Sequence, residues 1–191
     1  ILETNLDELI MSATNNTDMT TGYENGKVGF DKLPKIFKAP GYHWLSHHLN
    51  KGYRNEENAI PGFNLLVLDV DDSCQLSTAM MLLKDYKAIY YTTKRHTEEN
   101  NRFRVILPIN YTLPLDSKDY KELYNNVIQD LPFLVDEQCG QRSKKWLTNP
   151  NAEVHVTDGE LFDILPYIPK TTKNDERREK FKNQSDLDNL E

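Results

Sequence analysis

Asp69 and Asp71 stand two apart at the end of the run Asn64 to Val70, Asn-Leu-Leu-Val-Leu-Asp-Val. In an extended strand such residues project to one side, so both carboxylates can grip a single divalent cation. The ordinary alternative is a turn: Asp71, Asp72 and Ser73 have the composition to leave a strand and cap the next helix. Against that reading, Asp69 lies within the apolar run, where a carboxylate is costly to bury without a partner. Asp136 ends the run Phe133-Leu134-Val135 and supplies a third acid. Three strand-end carboxylates have the composition of a two-metal nucleotidyl-transfer site.

Cations gather near these acids in the sequence. His96 follows Thr92, Thr93, Lys94 and Arg95, and Lys94, Arg95, Arg102 and Arg104 bracket a polar loop. Guanidinium forks match phosphate oxygens, and an imidazole adds one more donor, so the set suits a triphosphate. A solvated hairpin is the alternative from residue types alone. Arg142, Lys144 and Lys145 follow Asp136 and extend the basic set. His43 and His47 stand four apart, but without the accompanying acid of a metalloprotease helix, so with His48 they read as core or surface residues.

Positioning these groups requires strands and helices in alternation. The run Asn64 to Val70 predicts a strand covered on both faces. Ser73 can cap a helix with Leu76, Met80, Leu83 and Tyr86 on one face. Ala88 to Thr93 is β-branched and aromatic, a second strand. Arg102 to Leu107 alternates charged with apolar residues, a third strand with Arg102 and Arg104 on one face, and Pro108 and Pro114 frame its exit. Asp116 or Ser117 caps a helix carrying Tyr120, Leu123, Val127 and Leu131. Phe133 to Asp136 and Glu153 to Thr157 read as shorter strands. Upstream, Val28 to Ile60 reads as short helices joined by turns, and Ile1 to Gly26 as one weakly periodic run followed by loop. The fold class is α/β (α+β).

The chain has 191 residues, 38% hydrophobic and 28% charged, enough for one ordinary core. Residues 1–26 read as a polar N-terminal segment, 27–168 as the main domain and 169–191 as a charged linker or tail. The tail and Ile1 in the first position suggest a piece of a longer chain. A net charge of -7 argues against nonspecific coating of nucleic acid but leaves room for a local basic channel. With no apolar run approaching the ~20 residues of a membrane span and no leader pattern, the expectation is a cytoplasmic protein with no membrane partner. Cys74 and Cys139 are too few for a disulfide framework.

The succession Asp-Val-Asp, then Tyr-Tyr-Thr-Thr-Lys-Arg-His, then Asn-Arg-Phe-Arg-Val-Ile-Leu-Pro, then Leu-Val-Asp-Glu-Gln-Cys-Gly-Gln-Arg-Ser-Lys-Lys-Trp resembles the archaeo-eukaryotic primase superfamily, in its phage and plasmid primase-polymerase branch. The resemblance runs from about Lys27 to Ile168. It implies an RRM-like catalytic sheet with an N-terminal α/β flank. It also implies a metal-dependent DNA primase and polymerase working on a DNA template with nucleoside triphosphates. Asp69, Asp71 and Asp136 would then be catalytic and hold Mg²⁺ or Mn²⁺. His96, Lys94, Arg95, Arg104, Arg142 and Lys144 would bind nucleotide, and Arg102 and Lys145 nucleic acid. Lys94 stands two before His96, where the family often has a small hydroxyl residue. Two cysteines cannot build the zinc knob of many relatives, so no structural zinc is expected. A helicase module C-terminal to Glu191 is the implied partner.

Two other readings share parts of this pattern. A haloacid-dehalogenase-like phosphatase also ends a buried strand in Asp-x-Asp, with Asp158 to Asp163 as a later acid pair. A noncatalytic RRM-like module would bind single strands through Tyr90, Tyr91 and Phe103.

Overall fold

The apolar run around Asn64 to Val70 forms a long buried strand of a computed structural model that describes residues 2–171, 173–176, 179–180 and 182–183. In chain order the strands are β1 (Leu2–Glu3), β2 (Leu9–Thr14), β3 (Glu24–Val28), β4 (His43–Leu45), β5 (His48–Leu49), β6 (Ala59–Ile60), β7 (Phe63–Asp71), β8 (Ala88–Thr92), β9 (Arg102–Leu113), β10 (Trp146–Leu147) and β11 (Val154–Thr157). The helices are α1 (Leu33–Phe37), α2 (Leu76–Leu82) and α3 (Ser117–Asp130).

β7 and β8 each pair antiparallel with β9, and β11 pairs antiparallel with β8. β7 and β8 therefore run parallel with β9 between them. The order β7-α2-β8-β9-α3 is thus a split βαβ unit, the frame of an RRM-like sheet, and the molecule is α+β. A second sheet, ordered β10-β4-β2-β3, is contributed mostly by the N-terminal residues. One core joins the two sheets. Leu9, Met11 and Trp44 share it with β7, β8, β9 and α3, and Phe37 stacks on Tyr91 with centroids 4.7 Å apart. Asn64 ties the sheets together by accepting from the Ile10 amide at 2.8 Å.

Several expectations need correction. Residues before Lys27 are a structural part of the molecule: β2 buries Leu9 and Met11 between β3 and β4. The segment from His43 to Ile60 forms the strands β4, β5 and β6 where helices are expected: β4 pairs with β2 and β10, far away in sequence, and β5 pairs with β6. Strand β9 runs through Pro108 to Leu113. The missing amide falls beside a register shift in β7 between Phe63 and Leu65, where a ladder bond is already lost. Ser73 does not cap α2: the chain turns left-handed at Asp72 (φ 62°), Gln75 takes the cap position, and the Leu76 amide donates to Asn101 Oδ1 at 2.8 Å. Phe133 to Asp136 forms no strand. It touches the β7 edge through one bond, Asp136 N–H to the Asp69 carbonyl at 3.1 Å.

Asp116 caps α3 as expected, accepting from the Asp119 amide at 2.8 Å. Within the charged tail, the described residues 173–176, 179–180 and 182–183 are helical, and buried Asn174 donates to Asp119 Oδ2 at 3.2 Å. The rest of the tail lies outside the described residues. Among the described residues no helix is long and apolar enough to cross a membrane.

Candidate active site

Strand register builds the electrostatics of the site. Asp69 lies opposite Arg104 and Asp71 opposite Arg102 across β7 and β9. Arg104 Nε stands 3.6 Å from Asp69 Oδ1, and Arg102 Nε 3.1 Å from Asp71 Oδ1. Neither Nε is aligned as a hydrogen-bond donor, so both contacts are coulombic and the buried N–H groups still want an acceptor. Arg104 is otherwise pinned. Its Nη1 donates to the Leu147 carbonyl at 2.8 Å and to the Tyr91 hydroxyl at 3.1 Å, and its guanidinium lies over the Tyr91 and Trp146 rings. Tyr91 in turn accepts from Trp44 Nε1 at 3.2 Å, so the N-terminal sheet fixes an arginine of the central one.

The acids divide by environment. The Asp69 side chain is 25% exposed and that of Asp71 is 62% exposed. Burial holds the Asp69 carboxyl above the usual range, with Arg104 opposing and the charge of Asp136 adding to the rise. Ligand atoms of Asp69, Asp136 and Cys139 all lie within 4.8 Å of one another. Asp136 also accepts from the Gln138 amide, which fixes it at the start of a short 3-10 turn, Glu137–Cys139. Cys139 is a neighbour that a lone cysteine in a sequence does not reveal. Its thiol is pushed up to about 12, chiefly by burial, and is therefore neutral.

A cavity of about 260 Å³ opens beside Asp69 and Asp71, lined also by Thr93, Lys94, Arg95, Arg102, Arg104 and Asn149. The sequence-predicted Lys94, Arg95, Arg102 and Arg104 thus meet at one pocket with two of the acids. His96 lines two adjoining cavities, with its Nδ1 accepting from the Arg102 amide at 3.0 Å. Lys144 stands over the Trp146 ring, 5.5 Å from its centroid, and lines a separate cleft with Asp136.

Arg142 is not brought to this pocket. It is buried in a clamp with Glu56, its Nε donating to Glu56 Oε1 and its Nη1 to the Leu115 carbonyl, both at 3.2 Å. Ser117 and Ser143 hydroxyls also donate to that carboxylate, each at 2.8 Å. Glu56 therefore anchors the loop between Asp136 and Lys145 to the start of α3. Glu56→Gln should lower stability by about 2 kcal/mol, since bonds to a charged acceptor weaken while the volume stays. Urea unfolding would check this, and an unchanged midpoint would remove the anchoring role.

The histidines expected on a helix are on or beside strands. His47 is in the core, and His48 Nε2 contacts the Gly26 carbonyl at 2.8 Å. The acids of the phosphatase reading lie elsewhere, Asp158 pairing with Lys87 and Asp163 accepting from Asn110. Tyr90, Tyr91 and Phe103 are fully buried and offer no ring to a base.

Residues 4–144 match the VapE N-terminal domain. The chain belongs to that family. This agrees with the resemblance to the phage and plasmid primase-polymerase branch. Among solved structures, the VapE N-terminal domain described above is similar to the AEP domain of the cyanophage S-2L primase-polymerase (PrimPol). The two are 11% identical with a TM-score of 0.46, over 87% of this chain and 91% of that one. No curated protein matches this VapE N-terminal domain in sequence.

Proposed function

We propose that this VapE N-terminal domain is a metal-dependent DNA primase and polymerase domain, joining nucleotides on a DNA template. The observation that supports it most is the meeting of Asp69 and Asp136 beside a pocket walled by Lys94, Arg95, Arg102 and Arg104. Carboxylate oxygens suit a hard divalent ion, whereas the neutral thiol of Cys139 does not. Asp69 and Asp136 would hold Mg²⁺ or Mn²⁺, with Asp71 joining when Arg102 turns to another anion. Bound there, the ion supplies positive charge at the reacting phosphate and acidifies the attacking hydroxyl.

The protein's own groups would place the triphosphate. Arg104, locked by Leu147 and Tyr91, offers its unmatched Nε to a phosphate oxygen, and Arg102 can exchange Asp71 for another. Lys94 and Arg95 are exposed at the rim and free to follow the outer phosphates. Because His96 Nδ1 is occupied by the Arg102 amide, Nε2 carries the proton and is the donor left for the nucleotide. Replacing His96 by alanine should weaken nucleotide binding about tenfold, the loss of one charge-assisted bond, without changing the melting temperature. Unfolding with unchanged affinity would make His96 a scaffold residue.

Labelled nucleotide offered with a primed or bare DNA template, with and without Mn²⁺ or Mg²⁺, tests the proposal. Metal-dependent, template-matched incorporation is expected. Binding without incorporation would leave a noncatalytic module, and phosphate release without incorporation a phosphatase. A helicase module downstream and a place with the cytoplasmic replication machinery belong to the same proposal.

A further inference from the structure

The cations of this face are not all of one kind. At the pocket Arg102 and Arg104, and away from it Arg142, each face a carboxylate, at 3.1, 3.6 and 3.2 Å. Among the described residues, Lys94, Lys144, Lys145 and Arg54 have no carboxylate within 4.0 Å. In a chain of net charge -7, four uncompensated cations close together form a local positive field. They are contiguous: Lys145 Nζ meets Met19 Sδ at 3.8 Å, the residue whose carbonyl also holds Arg54, and His43 lies opposite Leu147 across β4 and β10. Two hydrogen bonds hold Arg54 in place, its Nη1 donating to the Ser143 carbonyl and its Nε to the Met19 carbonyl, each at 3.2 Å. His43 sits among them on β4, with Nδ1 buried and lacking a hydrogen-bond partner among the described residues. Next to it, Tyr42 is 37% exposed, and its carbonyl and amide bond to Thr148, which lines the pocket.

We propose that a single-stranded nucleic acid leaves the Asp69 pocket over the N-terminal sheet, its phosphates held along Lys144, Lys145 and Arg54 and a base set on Tyr42. This path rests on the primase-polymerase reading of the pocket and extends it to the template. A nucleic acid fits better than an acidic protein because the track starts at the nucleotide pocket and carries an exposed ring beside its cations, the pairing that grips unstacked bases. Arg54 carries no motif, and nothing in its local sequence sets it apart from other surface arginines.

The test is fluorescence anisotropy with a labelled oligothymidylate across a salt series, on the whole domain with Mn²⁺. Each phosphate contact on a single strand contributes about 0.7 to the salt slope, or about fivefold in affinity between 1 and 0.1 M. Arg54→Gln with Lys145→Gln should therefore flatten the slope by about 1.4 and weaken binding about 25-fold at 0.1 M. Nucleotide affinity, measured with Mn²⁺ and a fluorescent triphosphate, should stay unchanged. Tyr42→Ala should weaken binding about tenfold with the slope intact, since stacking releases no counterions. Lys32→Gln with Lys35→Gln, the same charge change on or beside α1, should do neither. A double variant that binds the oligonucleotide as wild type does, while nucleotide still binds, overturns the track and leaves the pocket reading standing. A wild-type domain that binds no nucleotide overturns the pocket reading and the track with it. Polyglutamate competing as well as an oligonucleotide of equal charge also overturns the track, making the surface a docking face for acidic protein.

Discussion

Asp69→Asn should reduce nucleotide incorporation by about 10³-fold or more while leaving the protein at least as stable as before at neutral pH. A metal ligand at a transferring phosphate is worth several kcal/mol, and each 1.36 kcal/mol is a factor of ten in rate. Stability should not follow activity, because the ionised carboxylate is itself a burden. Burial, helped by the charges of Asp136 and Asp71, raises its folded pKa despite Arg104. A carboxyl with a raised folded pKa contributes stability that is present below its unfolded value, near 3.8, and lost as pH climbs through the folded value. Asparagine cannot ionise and escapes that loss, while Arg104 keeps its bonds to Leu147 and Tyr91. Parallel incorporation assays and melting curves from pH 4 to pH 8 should show a dead enzyme with a flatter pH dependence. Incorporation near the wild-type rate would end the assignment of Asp69.

Acid should unfold this domain through His47. The imidazole is fully buried, stacked on Phe63 at 5.3 Å and met edge-on by Tyr120 at 5.0 Å. Its Nε2 has no hydrogen-bond partner among the described residues, and burial, reinforced by the charge of Arg142, lowers its pKa from 6.5 to about 3. Over that window the unfolded chain binds a proton that the folded one refuses, so stability is complete above 6.5 and drains away as pH falls towards 3. The difference amounts to roughly 5 kcal/mol at 1.36 kcal/mol per unit, comparable to a whole domain's margin. Denaturant midpoints at pH 7, 5 and 4 should fall steeply in the wild type and much less in His47→Leu. Equal slopes in the two would assign the acid sensitivity to other groups.

What could be read from the residues is what depends on neighbours in sequence. β7 is legible because a strand covered on both faces has no polar side to show, and α3 because Asp116 sits where a cap must. The acids and the pocket cations are legible as types in the right order. Their pairing is not, since nothing local says that β9 meets β7 with Arg104 opposite Asp69. Arg142 and Arg104 look alike as letters, and only Glu56, far away in the chain, turns one of them from the pocket into a clamp. β2, β4 and β10 were invisible for the same reason: strands of two to six residues are too short to establish a period and exist because they pair with one another.

The register between β7 and β9 acts as a proofreading device. A slip of one residue would set Asp69 opposite Phe103 or Val105 and separate both acid-arginine pairs at once, while driving apolar side chains out of the core. No misaligned sheet can therefore mimic the aligned one electrostatically. The hydrogen-bond ladder that closes the fold delivers each acid together with its counterion, so the nascent domain never has to carry a correctly folded sheet bearing a naked pair of carboxylates. Both β7 carboxylates in this way enter the folded state with a cation already beside them.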